Sequence, residues 1–192
     1  MAPPKDRLVS AFLDYLADER NLSPRTVENY RLALERFRAF GSPPPWKEGS
    51  PDHFRAFLFE LMKQEMARAT VRLQFSALRT FYRFLVERHG LKRNPLREVQ
   101  LPKAERKLPV VLTATQVGEL LAAPLKMEPS KRAPAWLPAR DAAILELFYS
   151  SGLRISELAA LDVADIDPYN EQVRVMGKGR KERIVPVGTP AL

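Results

Sequence analysis

The sequence predicts a mainly α-helical protein with a small β-hairpin, divided into a helical N-terminal domain and a smaller α+β domain. Apolar residues recur at helical spacing through the first 89 residues. Prolines and a glycine then interrupt any helix between positions 90 and 110. Two short runs of alternating apolar and polar residues follow position 170 and indicate a hairpin. We therefore predict a helical domain over 1–89, a basic linker over 90–110 and a second domain over 111–192.

The first domain is predicted to contain four helices, two of which have marked starts. Ser23-Pro24 and Ser50-Pro51 each place a hydroxyl N-cap before a proline in the first helical turn. The proline-rich run 41–45 ends the second helix. The apolar positions of the four helices are expected to form the core. They are Leu8, Phe12, Tyr15 and Leu16; Val27, Tyr30, Leu34, Phe37 and Phe40; Phe54, Phe57, Leu58 and Leu61; and Val71, Phe75, Leu78, Tyr82 and Leu85.

Composition excludes several classes of protein. At 192 residues the chain is long enough to bury a substantial core. It has no cysteine, so it forms no disulfide and no cysteine-ligated metal site, which suits a reducing cytoplasm. No apolar run approaches membrane-spanning length. His53 and His89 are the only histidines, and we interpret both as surface or capping residues. We expect a cytoplasmic protein with no membrane association, no metal and no small-molecule cofactor.

The positive charge is concentrated in the N-terminal part of the chain. The net charge is +8, and residues 1–110 carry 21 basic against 13 acidic residues, whereas 111–192 carry 10 of each. The excess is greatest over 66–107, with 11 basic and 3 acidic residues. A localised basic excess indicates a polyanionic partner, nucleic acid above all. An acidic membrane surface is the alternative, but it would require an amphipathic helix with exposed apolar residues.

The fourth predicted helix carries a strip of basic and polar residues that we call the α4 strip. Its members fall within about 80° of one another at 100° per residue. They are Arg68, Arg72, Ser76, Arg79 and Arg83. A solvated surface is the ordinary interpretation of such a strip, but few acids neutralise this one. We predict that it binds double-stranded DNA through the phosphates.

The second domain contains two cations that are candidates for chemistry. Gly152 is predicted to end a helix over 138–151 in the left-handed conformation, and Arg154 follows at the start of a new apolar helical run. A cation at a helix N-terminus is unfavourable unless an anion is bound there. Lys178 lies between Gly177 and Gly179 at the predicted hairpin tip, where it can act as a mobile proton donor. Taken singly, Arg154 is more simply interpreted as a partner in a surface ion pair, and Lys178 as part of a solvated hairpin tip.

Together the two cations lie in strings that resemble a known family. GLRISEL and GKGRKERIVPVG, with Arg154 and Lys178 24 positions apart, closely resemble the Xer-type tyrosine recombinases of the phage integrase family. The resemblance implies that Arg154 holds the scissile phosphate and that Lys178 protonates the leaving 5′-oxygen. It also implies DNA recombination, in chromosome segregation or in DNA integration.

The resemblance extends to the first domain. SPRTVENYRLAL and SALRTFYRFL are similar to the SAM-like core-binding domain of these recombinases, in which the second and fourth helices face DNA. The similarity adds four weaker DNA-binding candidates, Arg25, Thr26, Asn29 and Arg31. It further implies that the basic linker lies along DNA and joins two lobes into a clamp.

One departure from the family pattern limits the expected activity. The family continues beyond the lysine hairpin with an HxxR string and the tyrosine nucleophile, whereas this chain has no histidine after His89 and its last tyrosine is Tyr169. We expect a C-terminally truncated recombinase that lacks the nucleophile and is inactive alone. The alternatives are a DNA-binding protein that occupies or regulates recombination sites without cutting, and a basic helical protein that binds another protein. Expected partners are double-stranded DNA and further recombinase subunits, either copies of this chain or a partner recombinase.

Overall fold

A computed structural model describes residues 6–103, 108–128, 130, 132–177 and 181–192. The chain divides into two compact units, Met1–Lys107 and Leu108–Leu192. The described part confirms a mainly α-helical fold with one small sheet. Unit 1 contains helices α1 (Arg7–Asp14), α2 (Pro24–Ala39), α3 (Pro51–Lys63) and α4 (Arg68–Arg88). Unit 2 contains helices α5 (Ala114–Lys126), α6 (Leu137–Ser151) and α7 (Ile155–Leu158) and strands β1 (Ile166–Asp167), β2 (Gln172–Met176) and β3 (Glu182–Pro186).

The helix starts of unit 1 are set by local caps. Ser23 Oγ accepts a hydrogen bond from the Thr26 backbone N–H at 3.3 Å, so α2 begins at the predicted serine–proline pair. At α3, the backbone N–H of Ser50 donates to the His53 Nδ1 at 3.1 Å. His53 is therefore a capping residue, as the sequence predicted.

The core of unit 1 is built from aromatic rings on all four helices and the loop between α2 and α3. Phe37 lies at its centre, with ring centroids 4.9 Å from Phe54, 5.2 Å from Phe57 and 5.8 Å from Trp46. The Tyr82 hydroxyl donates to the Trp46 carbonyl oxygen at 2.8 Å, and burial raises the pKa of this phenol. Because Tyr82 is on α4, this bond fastens the loop to the longest helix.

The segment that follows α4 is packed onto unit 1 over much of its length. A 3₁₀ turn at Pro95–Glu98 buries Leu96, and Val99 is buried directly after it. The Asn94 side chain donates to the Arg79 carbonyl oxygen at 3.2 Å and so holds the turn against α4. Part of the predicted linker is therefore an ordered extension of the first unit. Residues 104–107 of that linker lie outside the described residues.

Unit 2 combines the predicted helices with a three-stranded antiparallel sheet in the order β1-β2-β3. Thr113 Oγ1 accepts from the Gln116 backbone N–H at 3.3 Å and caps α5. Alternation along β2 buries Val173 and Val175, which pair with Val185 and Arg183 of β3. The hairpin was predicted, whereas the two-residue strand β1 was not. None of the helices in the described part of the chain combines the length and apolar composition needed to span a bilayer.

Candidate functional site

Arg154 lies where the chain turns from α6 into α7. Gly152 ends α6 with φ +60° and ψ +31°, the left-handed conformation that glycine adopts without steric cost. Arg154 is the N-cap residue of α7, and its side chain is 64% exposed. Its Nη1 donates to the Glu157 Oε1 at 2.7 Å. The Arg154 guanidinium is therefore exposed to solvent, while its Nη1 is held by the Glu157 carboxylate.

The fixed point behind Arg154 is the buried carboxylate of Glu157, which is 6% exposed. Besides the Arg154 side chain, it accepts the Arg154 backbone N–H at 2.8 Å. Arg183 on β3 donates to both carboxylate oxygens, at 2.7 Å and 2.9 Å. The Arg183 hydrogen bonds, followed by the Arg154 backbone N–H, hold the pKa of Glu157 well below its usual range. This carboxylate thus connects the start of α7 to the sheet.

Gly177 allows the sheet to approach this ion-pair network closely. A Cβ at position 177 would lie 3.1 Å from the Arg183 Nη1 and 3.2 Å from the Lys181 carbonyl oxygen. The Gly177 backbone N–H donates to that same carbonyl at 2.7 Å and continues the hairpin beyond β2. A side chain at position 177 would therefore disturb both the hairpin and the guanidinium of Arg183. Lys178 itself lies outside the described residues, so its predicted role as a proton donor stays a prediction.

The arrangement can bind an anion at Arg154. Its Nε and Nη2 make no hydrogen bond with another described residue, and a guanidinium can donate through two nitrogens to phosphate oxygens. Sequence reasoning identified Arg154 but missed Glu157 and Arg183. The spacing of three residues between Arg154 and Glu157 at a helix start could have indicated Glu157, because a side chain at that position can cap the helix. Nothing local signals Arg183, which is 26 positions from its partner in sequence.

Acid is expected to weaken the fold of unit 2 through Glu157. Because the folded state keeps this carboxylate ionised, the unfolded chain binds a proton at a higher pH than the folded chain does. The stabilising contribution is complete above the ordinary glutamate pKa of 4.5 and is lost as pH falls from there toward the depressed folded value. Urea unfolding followed by circular dichroism, from neutral pH down to about pH 3, measures the effect.

The matched control for this titration is Glu157→Gln, which removes the ionisable group at the same position. Its unfolding free energy should depend less steeply on pH below 4.5 than that of the parent chain. Glu119→Gln on α5, an exposed carboxylate, serves as the second control. Equal pH slopes in the parent and Glu157→Gln chains would contradict the prediction.

In unit 1, the structure brings three of the four arginines of the α4 strip against the main chain of 99–103. Arg79 donates to the Val99 carbonyl oxygen at 2.8 Å, Arg72 to that of Pro102 at 3.3 Å and Arg68 to that of Lys103 at 3.4 Å. The segment therefore runs back along the helix and partly covers the strip, which the sequence had predicted to be exposed throughout. Arg68, Arg72, Ser76 and Arg83 remain exposed, and Arg79 is half-buried. A guanidinium has five N–H donors, so one carbonyl bond leaves donors for phosphate.

The candidates on α2 differ in availability. Arg25 is exposed and makes no hydrogen bond with another described residue, and Asn29 is half-buried. The Thr26 hydroxyl lies 2.9 Å from the Ser23 Oγ and belongs to the helix cap. Arg31 is bound to Glu28 at 2.6 Å and also to Glu35, and these carboxylates raise its pKa. Arg31 therefore offers less charge to a ligand than the sequence suggested.

No group of three or more His, Cys, Asp or Glu side chains capable of holding a metal ion is present among the described residues. Several of the described carboxylates instead pair with arginines, as Asp165 and Glu182 do with Arg174 at 3.7 Å and 3.9 Å.

Two sequence-family profiles match the chain, one in each unit. Residues 9–89 match the phage integrase N-terminal SAM-like domain. Residues 110–192 match the phage integrase family. Together these ranges contain the α4 strip, Arg154, Lys178 and Arg183.

Curated relatives are similar along nearly the whole chain. The chain is 42% identical to the tyrosine recombinase XerC of Shewanella amazonensis over 181 residues, which cover 94% of this chain and 58% of that protein. It is 40% identical to the XerC of Roseiflexus castenholzii over 186 residues, covering 95% of this chain and 57% of that protein. The chain thus spans less than two thirds of the length of these relatives.

Solved structures show a similar fold at lower identity. A lambda integrase tetramer bound to a Holliday junction matches with a TM-score of 0.71 and 20% identity, over 93% of this chain and 49% of that chain. The Tn1549 transposon integrase in complex with transposon right end DNA matches with a TM-score of 0.72 and 15% identity, over 96% of this chain and 62% of that chain.

Proposed function

Because the chain belongs to the phage integrase family of tyrosine recombinases, we propose that it is the DNA-binding and phosphate-activating part of a site-specific DNA recombinase. The single observation that carries the proposal is the exposed Arg154 guanidinium, fixed by a buried carboxylate that is itself held by Arg183. Such an arrangement is preorganised to stabilise charge on a phosphoryl group.

The proposed reaction breaks and rejoins a DNA phosphodiester through a phosphotyrosyl intermediate. A tyrosine hydroxyl attacks the phosphorus, the bond to the 5′-oxygen breaks, and that oxygen leaves with a proton. Arg154 would bind the phosphate oxygens on which negative charge accumulates. Lys178 would supply the proton to the leaving oxygen. Neither residue is itself the nucleophile.

DNA binding is proposed to lie mainly in unit 1, on the α4 strip and the exposed residues of α2. Support comes from the excess of basic over acidic residues in 1–110, against equal numbers in 111–192. The lambda integrase of similar fold was solved on DNA as a dimer and as a tetramer, and the Tn1549 integrase was solved with transposon end DNA. We therefore propose double-stranded DNA and further recombinase subunits as partners.

Removing charge from the α4 strip is expected to weaken DNA binding and reduce its salt dependence. Removal of one phosphate contact should flatten the plot of log K against log salt by about 0.9. We choose Arg72→Gln with Arg79→Gln, because glutamine keeps an N–H donor near the 99–103 carbonyls while removing the charge. Fluorescence anisotropy with a duplex, at a series of salt concentrations, measures affinity and slope together.

The control for that experiment is Arg36→Gln with Arg55→Gln, which removes the same charge elsewhere in unit 1. If both pairs give the same affinity and slope as the parent chain, the α4 strip is only a solvated surface.

A second candidate function is a DNA-binding protein that occupies recombination sites without cutting them. The observation in its favour is that the charge excess and the α4 strip lie in unit 1, whereas the candidate catalytic residues lie in unit 2. Both functions predict that DNA binding survives substitution of Arg154, but under this one no DNA cleavage would depend on that residue.

A further inference from the structure

The Glu157 carboxylate is shared by two arginines that reach it from different elements. Its Oε1 accepts hydrogen bonds from the Nη1 of Arg154 and from the Nη1 of Arg183, each at 2.7 Å. Its Oε2 accepts the Arg154 backbone N–H at 2.8 Å and the Arg183 Nη2 at 2.9 Å. An ionised carboxylate offers roughly four acceptor positions, so this one is saturated. Neither guanidinium can gain another bond to it unless a donor leaves.

The three side chains of this network carry one surplus positive charge. The Arg183 hydrogen bonds, followed by the Arg154 backbone N–H, hold the pKa of Glu157 well below its usual range, so its carboxylate is ionised. Arg154 and Arg183 contribute one positive charge each. The Glu157 side chain is buried, whereas that of Arg183 is 37% exposed and that of Arg154 more so. The negative charge is therefore enclosed, and the surplus positive charge faces solvent.

The ionised groups next to this network supply no cation to replace Arg183. A cavity of about 320 Å³ beside Glu157 is lined by Asp165, Arg174 and Glu182 as well. Arg174 lies 3.7 Å from the Asp165 carboxylate and 3.9 Å from that of Glu182, so two acids already share its charge. Among the described residues that line this cavity, the surroundings of Glu157 are thus acidic. Arg183 is the residue that balances its charge.

The sheet holds Arg183 in this position before any ligand arrives. Arg183 is paired in register with Val175 of β2, which is buried in the core of unit 2. A Cβ at position 177 would lie 3.1 Å from the Arg183 Nη1 and 3.9 Å from the Glu157 Oε1. The absence of a side chain at Gly177 therefore leaves room for the pair. The hairpin brings the arginine to the carboxylate ready-made, without a cost of ordering on binding.

We propose that Arg183 is a positioning residue that balances the charge of Glu157 and so leaves Arg154 available to a DNA phosphate. Without Arg183, the two acceptor positions that it fills would be open to the Nε or Nη2 of Arg154. Arg154 would then form a two-nitrogen pair with Glu157, which is neutral as a whole. Those nitrogens are the ones that phosphate oxygens would otherwise bind. The inference rests on the proposed role of Arg154 and adds the residue that keeps its charge available.

Substitutions that change the net charge of the network test the proposal without DNA cleavage. Inorganic phosphate is titrated into each ¹⁵N-labelled chain, and the backbone amide signals of Arg154 and Ile155 are followed by NMR. Arg183→Gln removes the surplus charge and should weaken phosphate binding about tenfold. Arg183→Gln with Glu157→Gln restores one surplus charge and should return the affinity to within about threefold of the parent value. A purely structural role of Arg183 predicts the opposite, because the double variant loses more hydrogen bonds.

Two further variants separate charge from folding. Arg183→Lys keeps the charge without the two-nitrogen fork, so it should bind phosphate nearly as the parent does. Its comparison with Arg183→Gln decides between charge and structure even if the double variant fails to fold, which circular dichroism would show. Arg140→Gln is the matched control. It removes the same charge from unit 2 about 16 Å back along α6, and it should leave phosphate binding unchanged.

A second arm measures the same order of variants on DNA. Covalent adduct formation is followed on a nicked duplex, with the chain supplemented by the C-terminal segment of the Shewanella amazonensis XerC. Arg183→Gln should form adduct more slowly than the parent, Arg183→Lys and double variants, at unchanged duplex affinity. Parent-like phosphate binding and adduct formation by Arg183→Gln would overturn the proposal, and so would a double variant weaker than Arg183→Gln. Undiminished phosphate binding by Arg154→Ala would instead reject the proposed role of Arg154 itself.

Discussion

Replacing Arg154 with alanine is expected to reduce covalent DNA adduct formation by about 10²–10³-fold, the cost of losing one preorganised donor to a charged transition state. The assay uses the 192-residue chain supplemented with the C-terminal segment of the Shewanella amazonensis XerC, on a nicked suicide substrate carrying that relative's recombination site. Adduct is detected as a protein band with retarded mobility. Lys178→Ala in the same assay should lose about 10²–10⁴-fold through the missing proton donor.

Three controls make this result interpretable. Arg154→Ala should bind DNA as tightly as the parent, because its substitution leaves the basic excess of unit 1 unchanged. Arg154→Lys keeps the charge but lacks the planar fork, so it should restore only part of the activity. The chain without the added segment should give no adduct. If an adduct forms, its loss in Tyr169→Phe would identify Tyr169 as the nucleophile. Full cleavage by Arg154→Ala would contradict the proposed role.

Replacing Phe37 with alanine is expected to destabilise unit 1 by about 3–5 kcal/mol, the usual cost of removing a buried aromatic side chain. Phe37 is 2% exposed and packs against three other aromatic rings, so the cavity cannot be filled by a small shift of one neighbour. A loss of this size is a large fraction of the total stability of a domain. Urea unfolding of the variant should show a correspondingly lower midpoint.

The measurement is made sharper by using one tryptophan as the reporter. Trp136 is 58% exposed, so Trp136→Phe leaves Trp46, in the core beside Phe37, as the only tryptophan. Phe59→Ala on α3 is the matched control, because Phe59 is 71% exposed and its loss should cost less than about 0.5 kcal/mol. Equal midpoints for Phe37→Ala and Phe59→Ala would show that the aromatic cluster does not carry the stability of unit 1.

Features that depend on neighbouring residues in the sequence were predicted well. The starts of α2 and α3 follow from Ser23-Pro24 and Ser50-Pro51, and the end of α6 follows from Gly152, because caps and left-handed glycines act within one helical turn. The pairing of β2 with β3 was visible in their alternation. The strand β1 was missed, since two residues are too few to show a period.

The candidate catalytic site was predicted only in part. Arg154 could be identified from its string and its place at a helix start, and Lys178 from its string, although its position is not among the described residues. The ion pair of Glu157 with Arg183 could not be predicted, because it joins residues 26 positions apart, one on a helix and one on a strand. Only the packing of the sheet against α7, through β2, decides which of many arginines meets the buried carboxylate.

By itself the sequence determined the helical domain, the hairpin, the concentration of basic residues before position 110 and the family strings around Arg154 and Lys178. These are properties of local spacing and composition, which are set before the chain folds. Tertiary structure alone decided that the carbonyls of 99–103 bind the α4 strip, and that the Asn94 side chain holds the turn at Pro95–Glu98 against α4. Both arrangements depend on the path of the chain after α4, where it runs back along that helix. That return is fixed by burial of Leu96 and Val99 in a core contributed by distant helices.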